Sequence, residues 1–288
     1  MKICTIIILF HPDEDSLSMS LPAFSNESDG IIIWRNSIIS ESCQQIINKF
    51  EKVIVAGDGT NVGIATALNK SIKIAEEKGY SHVLTMDQDS YFDDNMISNY
   101  KLKVTAYDND TIGVFGVNPL QSENTLYEVN SNVLNVADTI TSGSVFKILN
   151  FAKTGYFKDD LFIDAVDYEY CYRIKSLYSL QTIVFSDILL NHTVGYVEKT
   201  NYGFSVNNYS AFRTYFIIRN QFKIWKMYPQ LFPKNYKITL LKDHVLFRII
   251  KIIIAEDKKI MKLKAIVKGF YHFLIDRSGF YNVNSKNN

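Results

Sequence analysis

Two carboxylates one residue apart, Asp87 and Asp89, end the apolar run of "HVLTMDQDS". If the strand continues through them, both project to one side. Hard divalent cations bind through one or two carboxylates completed by substrate phosphates, so this strand end could carry Mg2+ or Mn2+ against a diphosphate. The competing reading is a solvated strand end, the usual fate of so short a string. A second chemistry is offered by "GDGTNVGIATALN", where Gly57, Gly59 and Gly63 permit a tight strand-to-helix turn. A helix opening near Ile64 would point its free amides at an anion. The string is neither a Walker A sequence nor G-x-G-x-x-G, and a plain Gly-rich turn explains it equally well.

"LFIDAVDYEYCYR" gathers acids beside apolar residues. On a helix Asp164, Asp167 and Tyr168 or Cys171 share a face, and a carboxylate flanked by Phe162, Ile163 and Val166 could serve as a general base. Against that stands an acidic first turn favoured by the helix dipole, with Arg173 reaching Glu169 four residues away. His192, in "LLNHTVG", is a lone histidine at a strand end, structural unless a carboxylate-held metal needs an imidazole. Arg213, Arg219 and Lys223 stand among aromatic residues in "YSAFRTYFIIRNQFKIWKMYP". They could clasp phosphate, whereas most Phe, Ile and Trp of a helix there belong to a core.

The elements that must position these groups follow from pattern. "ICTIIILF", "GIIIWRN", "KVIVAGD" and "HVLTMDQD" are short Ile- and Val-rich runs ending in polar residues, separated by the helical "SESCQQIINKFE" and "GIATALNKSIKIAEEKG". Continuous apolar strands alternating with helices predict a mostly parallel sheet covered on both faces, with ligands at the carboxyl ends of the strands. A helix over about 93–107 follows, then a strand "TIGVFGVNP", a loop around 121–132, "NVADTI" and "TSGSVF", a helix "AVDYEYCYRIKSLY", and two short strands, "QTIVFSD" and "ILLNHTVG". From Tyr209 the pattern is helical. The 288 residues contain 47% hydrophobic and 14% aromatic residues, enough for a sizeable core. Three cysteines, Cys4, Cys43 and Cys171, lack metal-type spacing and fit a reducing, cytoplasmic setting. The first apolar run reads as a strand rather than a signal peptide, and no run is long enough to span a bilayer.

Taken in order, "HPD", "NVGIATALN", "LTMDQDS", "SGS", "FIDAVDYEYCYR", "NHTVG" and "RTYFIIRN" resemble the inverting family-2 glycosyltransferases, and within them the bacterial rhamnosyltransferase branch. The resemblance covers about residues 3–225. It implies a GT-A fold, a Rossmann-like α/β domain over 1–208 with a nucleotide-sugar-binding part to about 118 and an acceptor part over 119–208. A basic helical extension, 209–288, would complete the chain. The resemblance further implies Asp89 as principal metal ligand with His192 beside it, Asp87 at the ribose or diphosphate, and Asp167 as catalytic base. His11, Asn61, Gly63, Asn69, Gly143, Ser144, Arg213 and Arg219 fall in the matching strings and are implied at the donor. Where many relatives read "DNS" this chain reads "WRNS", so Arg35 takes the place of an Asp that contacts the base, and donor identity is open at that point. The implied donor is dTDP-L-rhamnose, with a UDP-hexose as alternative. The implied acceptor is a saccharide, lipid-linked in many such enzymes, for a surface polysaccharide. A D-x-D phosphohydrolase and a non-catalytic nucleotide-sugar-binding protein are the rivals from other classes. In the first, D-x-D belongs on the first strand; the second is raised by Arg35.

The net charge of +1 hides an asymmetry: from Leu231 onward 12 Lys and Arg face 4 acids, while the preceding residues hold 19 basic against 26 acidic. A basic tail rich in Ile and Leu could lie on the anionic inner face of the cell membrane or pack on the body with solvated lysines. No groove-reading motif accompanies the charge, which argues against nucleic acid.

Overall fold

The computed structural model describes residues 1–121, 123–192, 197–199 and 205–283, without side chains for 197–199 and 205–207. In chain order the elements are β1 (Ile3–Leu9), α1 (Glu14–Glu27), β2 (Gly30–Arg35), α2 (Glu41–Ile47), β3 (Val53–Ala56), α3 (Ile64–Glu77), β4 (His82–Asp87), α4 (Met96–Tyr107), β5 (Ile112–Gln121), β6 (Asn124–Thr125), β7 (Val133–Val136), β8 (Ser144–Lys147), α5 (Ile148–Thr154), α6 (Val166–Tyr178), β9 (Gln181–Asn191), β10 (Val197–Lys199), β11 (Ser205–Asn207), α7 (Ala211–Met227), α8 (Tyr236–Leu240), α9 (Phe247–Ala255) and α10 (Lys259–Leu274). They divide into two compact units, 1–157 with 170–193, and 158–169 with 194–288.

The first unit is built on a nine-stranded sheet in the order β3-β2-β1-β4-β8-β5-β9-β7, with β6 paired to β5. β3, β2, β1 and β4 run parallel, β8 is antiparallel to both β4 and β5, and β9 is parallel to β5. Every residue of β1 is buried, as both-face coverage requires. Ile3, Ile7 and Leu9 share a core with Leu17, Leu21 and Phe24 of α1, Cys43 and Ile47 of α2, and Ile97, Tyr100 and Val104 of α4. α3 packs on β1, β2 and β4. The three cysteines are free and buried.

Two elements depart from the sequence pattern. α1 follows directly on the polar end of β1 because Asp13 accepts the amide of Ser16 at 2.8 Å and so caps it; its apolar face, Leu17, Leu21 and Phe24, is thin, and the exposed Pro22 lies inside the helix. The two expected strands near 181–195 are one strand, β9, whose pairing jumps from Val117↔Phe185 to Asn118↔Leu189. The extra residues are held by Asn118, which donates to the carbonyls of Ser186 and Tyr127 at 2.8 Å each. Thr193 to Gly195 of the "NHTVG" string lie outside the described residues.

Among the described residues, the regular elements of the second unit are helices and the antiparallel pair β10 and β11. Ser210 caps α7, accepting the amide of Arg213 at 3.1 Å. α10 packs along α7, and Gly269 permits the approach: a Cβ there would lie 2.7 Å from the carbonyl oxygen of Tyr215. None of the described helices is long and apolar enough to cross a membrane.

Candidate functional site

β4 stops at Asp87, and Gln88 and Asp89 enter a turn closed by the Ser90 amide on the Asp87 carbonyl at 3.3 Å. The same-side projection of a continuing strand therefore does not apply. The turn is fixed from two directions. Gln88 accepts the amide of Phe10 at 2.8 Å and donates to its carbonyl at 3.2 Å, tying the turn to the end of β1. The Asp87 amide donates to Ser142 Oγ at 3.0 Å.

His192 arrives from the far end of the sheet. Asn191 and Tyr91 exchange both backbone hydrogen bonds, 3.0 and 3.1 Å, and the His192 amide donates to the Leu120 carbonyl at 3.1 Å. These contacts set His192 Nδ1 2.8 Å from Ser90 Oγ and 4.0 Å from Asp87 Oδ2. Burial holds the His192 pKa below the ordinary histidine value, and the negative charge of Asp89 opposes that effect. Asp87, Asp89 and His192 thus converge at the carboxyl end of β4, with Asp87 about half exposed. Among the described residues no three His, Cys, Asp or Glu are arranged to hold a metal by themselves. A cation at this edge would therefore have to draw part of its ligand set from donor phosphates.

The neighbouring strand ends form a second feature. Arg35 donates from Nε and Nη2 to the Gly57 carbonyl at 3.0 and 2.8 Å, locking the end of β2 to that of β3. Asn36 accepts the Val62 amide and donates to Asn61 Oδ1, which in turn accepts the Gly63 amide at 3.0 Å. Gly63, at φ +83°, then opens α3. His11 donates its amide to Ser37 Oγ at 2.7 Å. Beside Arg35, Ser37, Ile38 and Asp58 lies a cleft of about 330 Å³, near the lower size of small-molecule sites.

Other expected donor residues serve the scaffold. Asn69 is buried and grips the backbone of Phe157, donating to its carbonyl at 2.8 Å and accepting its amide at 3.0 Å. Ser144 is buried and donates to the Ile140 carbonyl at 2.5 Å. Gly143, at φ +78°, has no room for a side chain: a Cβ would meet Val117 at 2.5 Å.

In the second unit α6 starts only at Val166, so Asp164 precedes the helix instead of sharing its face with Asp167. Phe162, Asp164 and Ala165 all have positive φ, +67°, +61° and +65°. The Ile163 amide donates to the Leu161 carbonyl at 2.8 Å across Phe162 at ψ −62°, which is the strained form of γ-turn. Arg219 has no solvent exposure and donates from Nη2 to the carbonyls of Asp160 and Leu161 at 3.1 Å each, and from Nη1 to that of Gly279. Its guanidinium is spent on the backbone rather than offered to a donor. Asn220 Nδ2 lies 2.8–2.9 Å from the carbonyls of Leu161, Ile163 and Asp164. Arg213 Nε reaches Asp164 Oδ1 at 3.1 Å. Burial raises the Asp164 pKa while Arg213 draws it back. Asp167, in the first turn of α6, accepts the amide of Tyr168 at 3.0 Å and is partly exposed. Glu169 is buried and accepts from the Tyr228 hydroxyl at 2.6 Å.

Gln88, Ser90, Asn36, Ser142 and Asn220 were not singled out by sequence. Small polar side chains next to a candidate acid or glycine are the faint signal they left.

No protein-family model matches the chain. The dTDP-rhamnosyl transferase RfbF of Shigella flexneri is 25% identical over 239 residues, covering 77% of this chain and 79% of that protein. Among solved structures, S. aureus TarS 1–349 in complex with UDP-GlcNAc superposes with TM-score 0.60 at 13% identity, covering 95% of this chain and 81% of that one. GalNAc-T7 with UDP, GalNAc and Mn2+ gives 0.58 at 10% identity, over 85% and 54%. The chain has the fold of these GT-A glycosyltransferases. At these identities the structural likeness is one of fold, and the chain spans 43% of a longer TarS structure. The mixed, mostly parallel sheet flanked by helices is the GT-A arrangement expected from sequence.

Proposed function

We propose that this protein is an inverting glycosyltransferase that moves L-rhamnose from dTDP-L-rhamnose onto a saccharide acceptor, lipid-linked or free, of a bacterial surface polysaccharide. The observation that carries the reading is the convergence of Asp87, Asp89 and His192 at the carboxyl end of β4, where open α/β sheets bind ligands. The choice of donor is supported by the likeness to RfbF.

A sugar hydroxyl is a weak nucleophile, and Asp167 takes its proton as the oxygen attacks the anomeric carbon. The bond from that carbon to the diphosphate oxygen breaks in the same displacement, which inverts the centre and leaves no covalent enzyme intermediate. Asp87 faces the ribose or diphosphate, and the cleft beside Arg35 receives the base. Mg2+ or Mn2+, when bound, would neutralise the charge growing on the leaving diphosphate, and Asp89 and His192 are the residues that would hold it. A UDP-hexose is the second reading, favoured by the TarS structure containing UDP-GlcNAc.

The test is a thermal-shift panel of dTDP-rhamnose and UDP-hexoses with Mn2+ and with EDTA. A donor at about 100 times its Kd adds roughly 2.7 kcal/mol to stability, so the true donor raises the melting temperature and the others do not. Asp89→Ala should lose that shift and turnover while keeping its far-UV spectrum. Full activity in EDTA would remove the metal role, and a shift with UDP-hexose alone would replace the rhamnose donor.

A further inference from the structure

α9 presents its apolar side outward. Leu246, Phe247, Ile250, Ile253 and Ile254 are each between 40% and 53% exposed. Their spacing of one, four, seven and eight residues places them on one side of a helix. Of α9 itself Ile252 is the buried residue, with Ile249 packed beside it on the α7–α10 core. Past the turn, Ile260 and Met261 are 71% and 43% exposed.

Charge is sorted around this stripe. Arg248 and Lys262 turn inward to the fully buried Glu256, Lys262 at 2.9 Å. Lys242, Lys251, Lys258 and Lys259 stay exposed near the apolar side chains, and Lys242 lies over the Phe247 ring at 5.3 Å. A water-facing row of Ile and Leu marks an interaction surface. A second copy of the chain is a poor occupant, because a two-fold interface sets a patch against itself and would bring these lysines together. No described helix is built to cross a bilayer. A surface with aliphatic residues flanked by lysines is complementary to acyl chains beneath anionic headgroups.

We propose that residues 246–254, with Ile260 and Met261, form a peripheral docking surface for an anionic lipid leaflet. The inference does not depend on which sugar is transferred.

The full chain is tested by flotation with phosphatidylcholine vesicles, with and without phosphatidylglycerol, at low and high salt. The wild-type protein is expected to float with the anionic vesicles, less so at high salt, and not with the neutral ones. Ile250→Asp with Ile254→Asp should cut partitioning by at least about tenfold, and Lys251→Glu with Lys258→Glu should cut it by roughly tenfold or more. Both pairs lie on exposed positions, and unchanged melting temperatures would verify that they fold. Equal flotation of wild type and both variants would overturn the proposal, as would absence of wild-type flotation with anionic vesicles. So would light scattering showing a dimer that the Ile250 and Ile254 substitutions dissociate, since the stripe would then be a protein interface.

Discussion

The two aspartates at the end of β4 stand in different settings. Asp87 is the last strand residue, its amide fixed by Ser142 and its carboxylate 4.0 Å from His192, whereas Asp89 follows in the turn that Gln88 ties to Phe10. The proposed roles divide in the same way, with Asp89 at the cation and Asp87 beside it on the donor. Asp167 belongs to the second unit and sits in the first turn of α6, partly exposed, where a proton acceptor must be. Asp167→Asn should retain donor binding by thermal shift, while kcat falls about 10²–10⁴-fold, the usual worth of a positioned base. Transfer at near the wild-type rate would reject it. The acids themselves were legible in sequence because charge at the end of an apolar strand is conspicuous. Ser90 and Ser142 were not, since they meet His192 and Asp87 only across 102 and 55 residues of chain.

At the scale of elements, the segment leading into α6 holds three non-glycine residues in left-handed backbone. Such conformations cost on the order of 1–3 kcal/mol each and persist only where surroundings impose them. Phe162 is stacked on Phe216 at 5.3 Å, and Arg219 with Asn220 gathers the carbonyls of residues 160–164. Asn220→Ala should therefore destabilise the protein by about 1–3 kcal/mol, the cost of buried carbonyls left without partners. It should also lower kcat with the KM for donor unchanged, because it releases the approach to Asp167. Unaltered kcat would show that the strain does not serve catalysis. Sequence placed Arg219 at the donor because an arginine among aromatic residues on a helix looks the same whether it faces phosphate or a backbone turn 58 residues away. Only the fold supplies what lies opposite.

At the scale of the whole molecule, pH acts on a buried histidine in the helical unit. His272 is 1% exposed, its Nδ1 2.6 Å from the Tyr215 hydroxyl and its Nε2 without a hydrogen-bond partner among the described residues. Burial first, then the positive charges of Arg277, Lys268 and Arg219, push its pKa down to about 4. The unfolded chain takes up this proton near pH 6.5, before the folded chain does, so the unfolded state binds more protons on acidification. The contribution of neutral His272 is whole above pH 6.5 and is lost as the pH falls towards 4. Melting temperatures over that range should fall less steeply in His272→Gln than in wild type; parallel curves would clear His272 of the effect.

Sequence by itself determined the parallel half of the sheet, the helices with strong periodicity, and the polar residue types at the strand ends, because the burial pattern is a local consequence of side-chain chemistry. It missed α1, whose start depends on the Asp13 cap and whose apolar face is thin. It also split β9, because the irregular register against β5 is set by Asn118 and the carbonyls it reaches. The tertiary structure alone decided that His192 joins Asp87 and Asp89, that Arg219 serves the backbone, and that the basic tail turns its isoleucines outward. Each of those outcomes depends on what a side chain finds opposite it, and only long-range packing supplies that partner.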